Sequence, residues 1–174
     1  MDVMDRLAAL SRQNHPELDK VDTVLADVVA VSGSWISGVI RDPSDSEGGA
    51  AAITEGLQIG GLVRIDAPGA RVFGLVNSVR IEEIISPFGK GERRLVEIQL
   101  VGEIVAPEEG CTIRFQRGVS GYPGLGAEVR AASAAELRLV YARPDAASVA
   151  IGVVHQDRSL PAYIMTDETI GKHF

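Results

Sequence analysis

Aromatic side chains are scarce in this chain, with one Trp, three Tyr and four Phe making up 5% of its 174 residues. Basic charge is also short: 17 Lys and Arg stand against 24 Asp and Glu, for a formal net charge of -7. Phosphate contacts need clustered Lys and Arg, and single-stranded nucleic acid needs aromatic platforms beside them. This segment is therefore not expected to grip nucleic acid by itself. A single cysteine, Cys111, excludes an internal disulfide and points to a cytoplasmic chain. Its sulfur reads as a small buried hydrophobe rather than a nucleophile. The three histidines, His15, His155 and His173, are far apart and unmatched with cysteine, so metal-ligand spacing is lacking. No apolar run approaches the ~20 residues that cross a bilayer, so no membrane contact is expected. Met1 to Asp5 is acidic where a signal peptide would be basic.

The familiar catalytic signatures are missing too. A phosphate-binding loop requires Gly-x-x-x-x-Gly-Lys-Ser/Thr, because the Lys reaches the phosphates and the hydroxyl holds magnesium. Here Gly171-Lys172 is followed by His173, and Thr166 stands where the first glycine belongs. Gly118, Gly121, Gly124 and Gly126 do not make the Gly-x-Gly-x-x-Gly of a dinucleotide site. Gly118 and Gly121 have the spacing of the Gly-x-x-Gly clamp in KH domains, but their flanks read as strands. No catalytic residue, cofactor site or metal site is expected in this chain.

What is present is a globular composition, 45% hydrophobic and 24% charged, at a length that suits one domain with appendages. Residues 1–20 form an N-terminal arm. Val3, Leu7 and Leu10 sit at helical spacing, Asp2 is a possible cap and Pro16 ends the pattern. The arm either docks as a helix or frays as a terminus. From Val21 the pattern turns to β. Val24–Val31 and Trp35–Ile40 flank a Ser32–Ser34 turn as a hairpin. Asp42–Gln58 is rich in Asp, Ser, Gly and Ala and reads as a mobile loop. Leu62–Asp66 resumes the sheet, Pro68-Gly69 turns it, and Arg71–Glu82 follows with a bulge expected at Gly74. Ser86–Gly91 is a second loop.

Arg94–Val105 is the clearest strand. Val96, Ile98, Leu100 and Ile104 are expected on one face, with Glu97, Gln99 and Glu103 on the wet one. After a turn at Pro107–Gly110, Cys111–Phe115 is a short strand and Gln116–Gly126 a glycine-rich stretch. Leu137, Leu139 and Tyr141 alternate like a strand, and Pro144-Asp145 leads into the strand at Val149. Roughly six to eight short strands at this spacing predict an all-β fold, a small closed antiparallel barrel over residues 21–156. Closure removes the edges that an open sheet this small would expose. Residues 157–174 then read as a linker, stopping on Gly171-Lys172-His173-Phe174 where a new hydrophobic run should begin.

Three stretches carry a resemblance to HerA-like hexameric ATPases: Ile59–Ile65, the Gln116–Pro123 run with its Arg-Gly-Val-Ser-x-Tyr-Pro pattern, and the Gly171–Phe174 tail. The likeness covers about Val24 to Phe174, and the last two stretches, in that order, are its most specific part. The first two resemble the family's N-terminal HAS barrel, named for its likeness to the N-terminal barrel of ATP synthase subunits. The tail resembles the entry into the RecA-like motor. The resemblance implies a collar module of an ATP-dependent, ring-shaped translocase of double-stranded DNA. Such a module has no ATPase activity alone, ATP and magnesium belonging to the parent motor. Partners implied are further copies of the chain in a hexameric ring, a NurA-like nuclease or another effector, and DNA passing through the parent ring. The setting implied is DNA end processing or antiviral defence. Arg117, Tyr122 and Pro123 are the interface candidates. Arg117 reads either as a rim residue pairing with an acidic group or as a solvated arginine, and Tyr122-Pro123 either faces a partner or packs over the barrel mouth. Two other readings stay open: the barrel of a rotary ATPase subunit, and a stand-alone β-barrel binding module for RNA or a small ligand.

Overall fold

The structure, a computed structural model, describes residues 23–42, 49–86, 89–105 and 113–167. These fall into two compact units that divide between Ala132 and Ser133.

The first unit is built from seven strands: β1 (Val24–Ser32), β2 (Trp35–Ile40), β3 (Leu62–Ala67), β4 (Ala70–Ser86), β5 (Gly89–Val105), β6 (Phe115–Arg117) and β7 (Glu128–Ala131). All pairings are antiparallel, in the order β2-β1-β7-β3-β4-β5-β6, and β2 also pairs with β5. That last pairing, Trp35↔Gln99 through Val39↔Leu95, closes six strands into a barrel and leaves β6 outside it. The expected closed antiparallel barrel is therefore the fold. The Gly33-Ser34 turn sets Ser32 opposite Trp35, and the Pro68-Gly69 turn sets Ala67 opposite Ala70.

β-branched and other aliphatic side chains line the interior. Ala26, Val28, Ile36, Val63, Ile65, Val72, Val76, Val96, Ile98 and Val129 are all buried in one cluster. Each large aliphatic removed from water contributes roughly 1.5–3 kcal/mol, so this lining is the main reason the ring holds. On the β1–β7 ladder Asp27 faces Glu128, a repulsive pairing by itself. Arg41 relieves it. Its Nε donates to Asp27 Oδ2 at 2.8 Å, and its Nη2 donates to Asp27 Oδ1 at 2.7 Å and Glu128 Oε1 at 3.0 Å. Arg130 donates to the other Glu128 oxygen. Both carboxyls are held below their ordinary values by these arginines, chiefly through hydrogen bonds, Asp27 by Arg41 and Glu128 first by Arg130.

Several sequence expectations need correction. Gly49–Gly56 is a helix, α1, rather than part of a loop, although residues 43–48 lie outside the described residues. Ile53 and Leu57, four apart on one helical face, join the core cluster together with Leu25. The strands also run closer to the tip of the β4–β5 hairpin than the expected loop at Ser86–Gly91 allows, pairing as far as Ser86↔Gly89. Of the short strand expected over Cys111–Phe115, Ile113 and Arg114 lie outside any strand and β6 begins at Phe115, while Cys111 and Pro107–Gly110 lie outside the described residues, as does the arm at 1–20.

The second unit holds α2 (Ala134–Val140) and the hairpin of β8 (Ser148–Val153) with β9 (Pro161–Met165). Leu137, Leu139 and Tyr141 therefore do not alternate along a strand, because a capping box starts a helix before them. The Ser133 N–H donates to Glu136 Oε2 at 2.7 Å and the Glu136 N–H donates to Ser133 Oγ at 3.3 Å. The strand expected at Val149 is present, but it pairs with β9 in a sheet of its own and not with the barrel strands. Pro161–Met165, read as linker, is its partner strand. The chain turns between them at Asp157, whose carboxylate accepts from the Ser159 hydroxyl at 2.6 Å and N–H at 2.9 Å. Among the described residues no helix is long and apolar enough to cross a membrane.

Candidate functional site

The glycine-rich stretch after β6 is held to the barrel by several hydrogen bonds, and its shape begins with a register slip. Phe73 pairs with Gly102 and Gly74 with Leu100, so Val101 is an extra residue in β5. A one-residue slip reverses every later side chain. Val96, Ile98 and Leu100 point into the core as expected, but beyond the bulge Glu103 takes the core face, opposite Val72, and is 1% exposed. Ile104 takes the outer face, where it pairs with Phe115 of β6. There Phe73 and Phe115 meet edge to face, ring centroids 6.0 Å apart.

A buried carboxylate is costly unless it is hydrogen-bonded. Glu103 is satisfied by β6 and the stretch that follows it. Its Oε1 accepts from Gln116 Nε2 at 3.0 Å and from Ser120 Oγ at 2.6 Å, and its Oε2 accepts from the Ser120 N–H at 3.0 Å. The Gly121 N–H adds a further hydrogen bond. Burial works to raise the Glu103 pKa, and the donors from Ser120, Gln116 and Gly121 outweigh it, holding the carboxyl below its ordinary value. To bring Ser120 back over the strand end the chain reverses at Gly118, which has φ 85°, a conformation that costs other residues. The Gly118 N–H donates to the Val101 carbonyl at 3.2 Å, at the bulge itself. The far end is tied to β1, where the Gly126 N–H donates to Val28 O at 2.7 Å and the Val28 N–H donates to Ala127 O at 2.9 Å.

The result is a fixed loop that presents side chains outward. Arg117 is exposed on the outer strand, opposite Gly102. Tyr122 is 49% exposed and Leu125 73% exposed. Pro123 is buried, so it shapes the loop from within and offers little surface. Gly171, Lys172, His173 and Phe174, expected as the entry to a motor, lie outside the described residues, as do His15 and Cys111. His155 is exposed. No group of three or more His, Cys, Asp or Glu that could hold a metal ion occurs among the described residues.

Compared with known protein families and with curated proteins, the chain matches none.

The hydrogen bonds to Glu103 come from Gln116 of β6 and from Ser120 and Gly121 of the loop, so this carboxylate acts as a clamp and not as a base facing a substrate. β6 and the loop together offer one exposed cation, one half-exposed phenol and one exposed aliphatic, a set suited to contact with another macromolecule. Sequence reasoning missed Glu103 because strict alternation puts it on the wet face. The signal that could have found it was Gly102, since a glycine inside a strand marks a bulge or a close approach.

Proposed function

We propose that the chain is an assembly and partner-docking barrel, the N-terminal HAS-type module of a HerA-like, ATP-dependent hexameric translocase of double-stranded DNA. The observation that carries the reading is the Arg117–Pro123 run, which resembles the family's pattern and is clamped by Glu103 on a closed antiparallel barrel. Rigid presentation is what a docking loop needs, because a loop already ordered loses less entropy when a partner binds. Arg117 and Tyr122 are the contacts in this reading, and Pro123 stiffens the turn between Tyr122 and Leu125. ATP and magnesium belong to the motor that would follow Phe174, and the acidic barrel leaves DNA contact to that motor. A NurA-like nuclease or another effector of DNA end processing or antiviral defence is the partner proposed for the loop, in the cytoplasm.

The reading frame beyond codon 174 tests the proposal. A Gly-x-x-x-x-Gly-Lys-Ser/Thr loop is expected within about ten residues, and the protein that contains it is expected to hydrolyse ATP faster in the presence of duplex DNA. A stop codon directly after Phe174 would overturn the reading.

A further inference from the structure

The β4–β5 hairpin is longer than the barrel that contains it. β3 accompanies β4 only over Ala70–Leu75, with hydrogen bonds from Gly60 and to Gly61 extending the contact to Val76. β2 accompanies β5 only over Leu95–Gln99. The two long strands nevertheless pair with each other out to Ser86↔Gly89. A two-stranded ribbon therefore projects from the wall, and among the described residues no strand pairs with either of its edges. Residues 79–83 and 90–94 are exposed, and Ile81 is 64% exposed. An isolated two-stranded ribbon is marginal in water, and an open edge is a template for another strand.

The two edges differ in charge. The β4 side carries Arg80, Glu82 and Glu83, a net -1 from one base and two acids, and Arg80 is already paired to Glu97 of the same chain. The β5 side carries Lys90, Glu92, Arg93 and Arg94, a net +2 from three bases and one acid. Two β4 edges repel each other, as do two β5 edges, whereas a β4 edge attracts a β5 edge. We propose that the β4 edge of one copy pairs with the β5 edge of a second copy, head to tail, continuing the ribbon sheet from molecule to molecule. In the register used within one chain, Glu82 would have an arginine on each side, its own Arg93 and the neighbour's. The stem of the neighbour's Arg94 would cover Ile81. A head-to-tail contact leaves one free edge at each end, so it repeats until a ring closes or a filament grows. This deepens the proposed function and rests on it in one respect, that the chain associates with itself.

Sedimentation velocity on the 174-residue chain over a range of concentrations is the test. The wild type is expected to self-associate, more weakly as salt rises. Reversing one edge, by Glu82→Lys with Glu83→Lys or by Arg93→Glu with Arg94→Glu, makes both edges alike. Each variant alone is expected to associate on the order of tenfold more weakly or worse. An equimolar mixture of the two is expected to regain association, because each supplies the edge the other lacks. Amide hydrogen exchange of the wild type gives a second reading that needs no variant, with protection of Ser78–Ile84 rising with concentration. A wild type that stays monomeric, reversed variants that associate as it does, or a mixture that stays apart would each sink the contact. A monomeric wild type would still leave a motor able to assemble the ring, while a frame without a motor would remove the proposed function and leave the edge pairing measurable on this chain.

Discussion

Glu103 is the residue on which the candidate loop depends. It holds a buried negative charge whose partners all come from Gln116, Ser120 and Gly121. Replacing the carboxylate by an amide turns one oxygen into a donor that meets another donor, so Glu103→Gln is expected to cost about 2 kcal/mol, the scale of hydrogen bonds to a charged group. The pH dependence has a definite sign. The folded pKa lies below the ordinary value of 4.5, so the contribution of the charge is complete above that pH and is lost as acid protonates the folded carboxylate. Urea unfolding of wild type and Glu103→Gln should therefore differ at pH 7 and converge toward pH 3. An equal gap at both pH values would mean that the mutation acts through packing and not through the charge.

At the scale of elements, β6 is an addition to the barrel, and Gly102 is what lets it lie flat. A Cβ at this position would stand 2.3 Å from both Gln116 O and the tip of the Phe115 ring. Gly102→Val is therefore expected to lift β6 from the wall while the six closed strands persist, because β2, β1, β7, β3, β4 and β5 close without it. Amide exchange should quicken at Phe115–Arg117 and stay slow at Leu95–Gln99. Loss of protection in both would show that β6 supports closure after all. The same bulge explains where the sequence was legible and where it was not. Strands with plain alternation or a clear turn, such as Val24–Ser32 with Trp35–Ile40, could be read directly because the pattern is local. The bulge at Gly74 was legible too, but its effect falls on the partner strand at Val101 and reverses Glu103 and Ile104, which depends on pairing. The helix at Ala134 was misread from the spacing of Leu137, Leu139 and Tyr141, although Ser133 and Glu136 already spelled its capping box. The helix at Gly49–Gly56 hides in small residues, and only Ile53 and Leu57 mark the face that packs.

For the molecule as a whole, the sequence pattern supplied the barrel but not the place where it ends. Val149–Val153 has the same apolar, β-branched character as the barrel strands, and composition cannot say which partner a strand takes. Ring closure needs nothing after Ala131: the six strands and every member of the main core cluster lie before Ser133. The Glu103 clamp and the Arg41 bridge between Asp27 and Glu128 lie there as well. A chain ending at Ala132 is therefore expected to fold by itself and to unfold in one cooperative transition, as small single domains do. Thermal unfolding followed by circular dichroism, with the full chain beside it, checks this. A broad, non-cooperative profile for the shorter chain would mean that the closed ring draws on residues after Ser133. A cooperative one would place folding, the clamped loop and the projecting ribbon together in the first 132 residues, and would leave the β8–β9 hairpin as a separate structure.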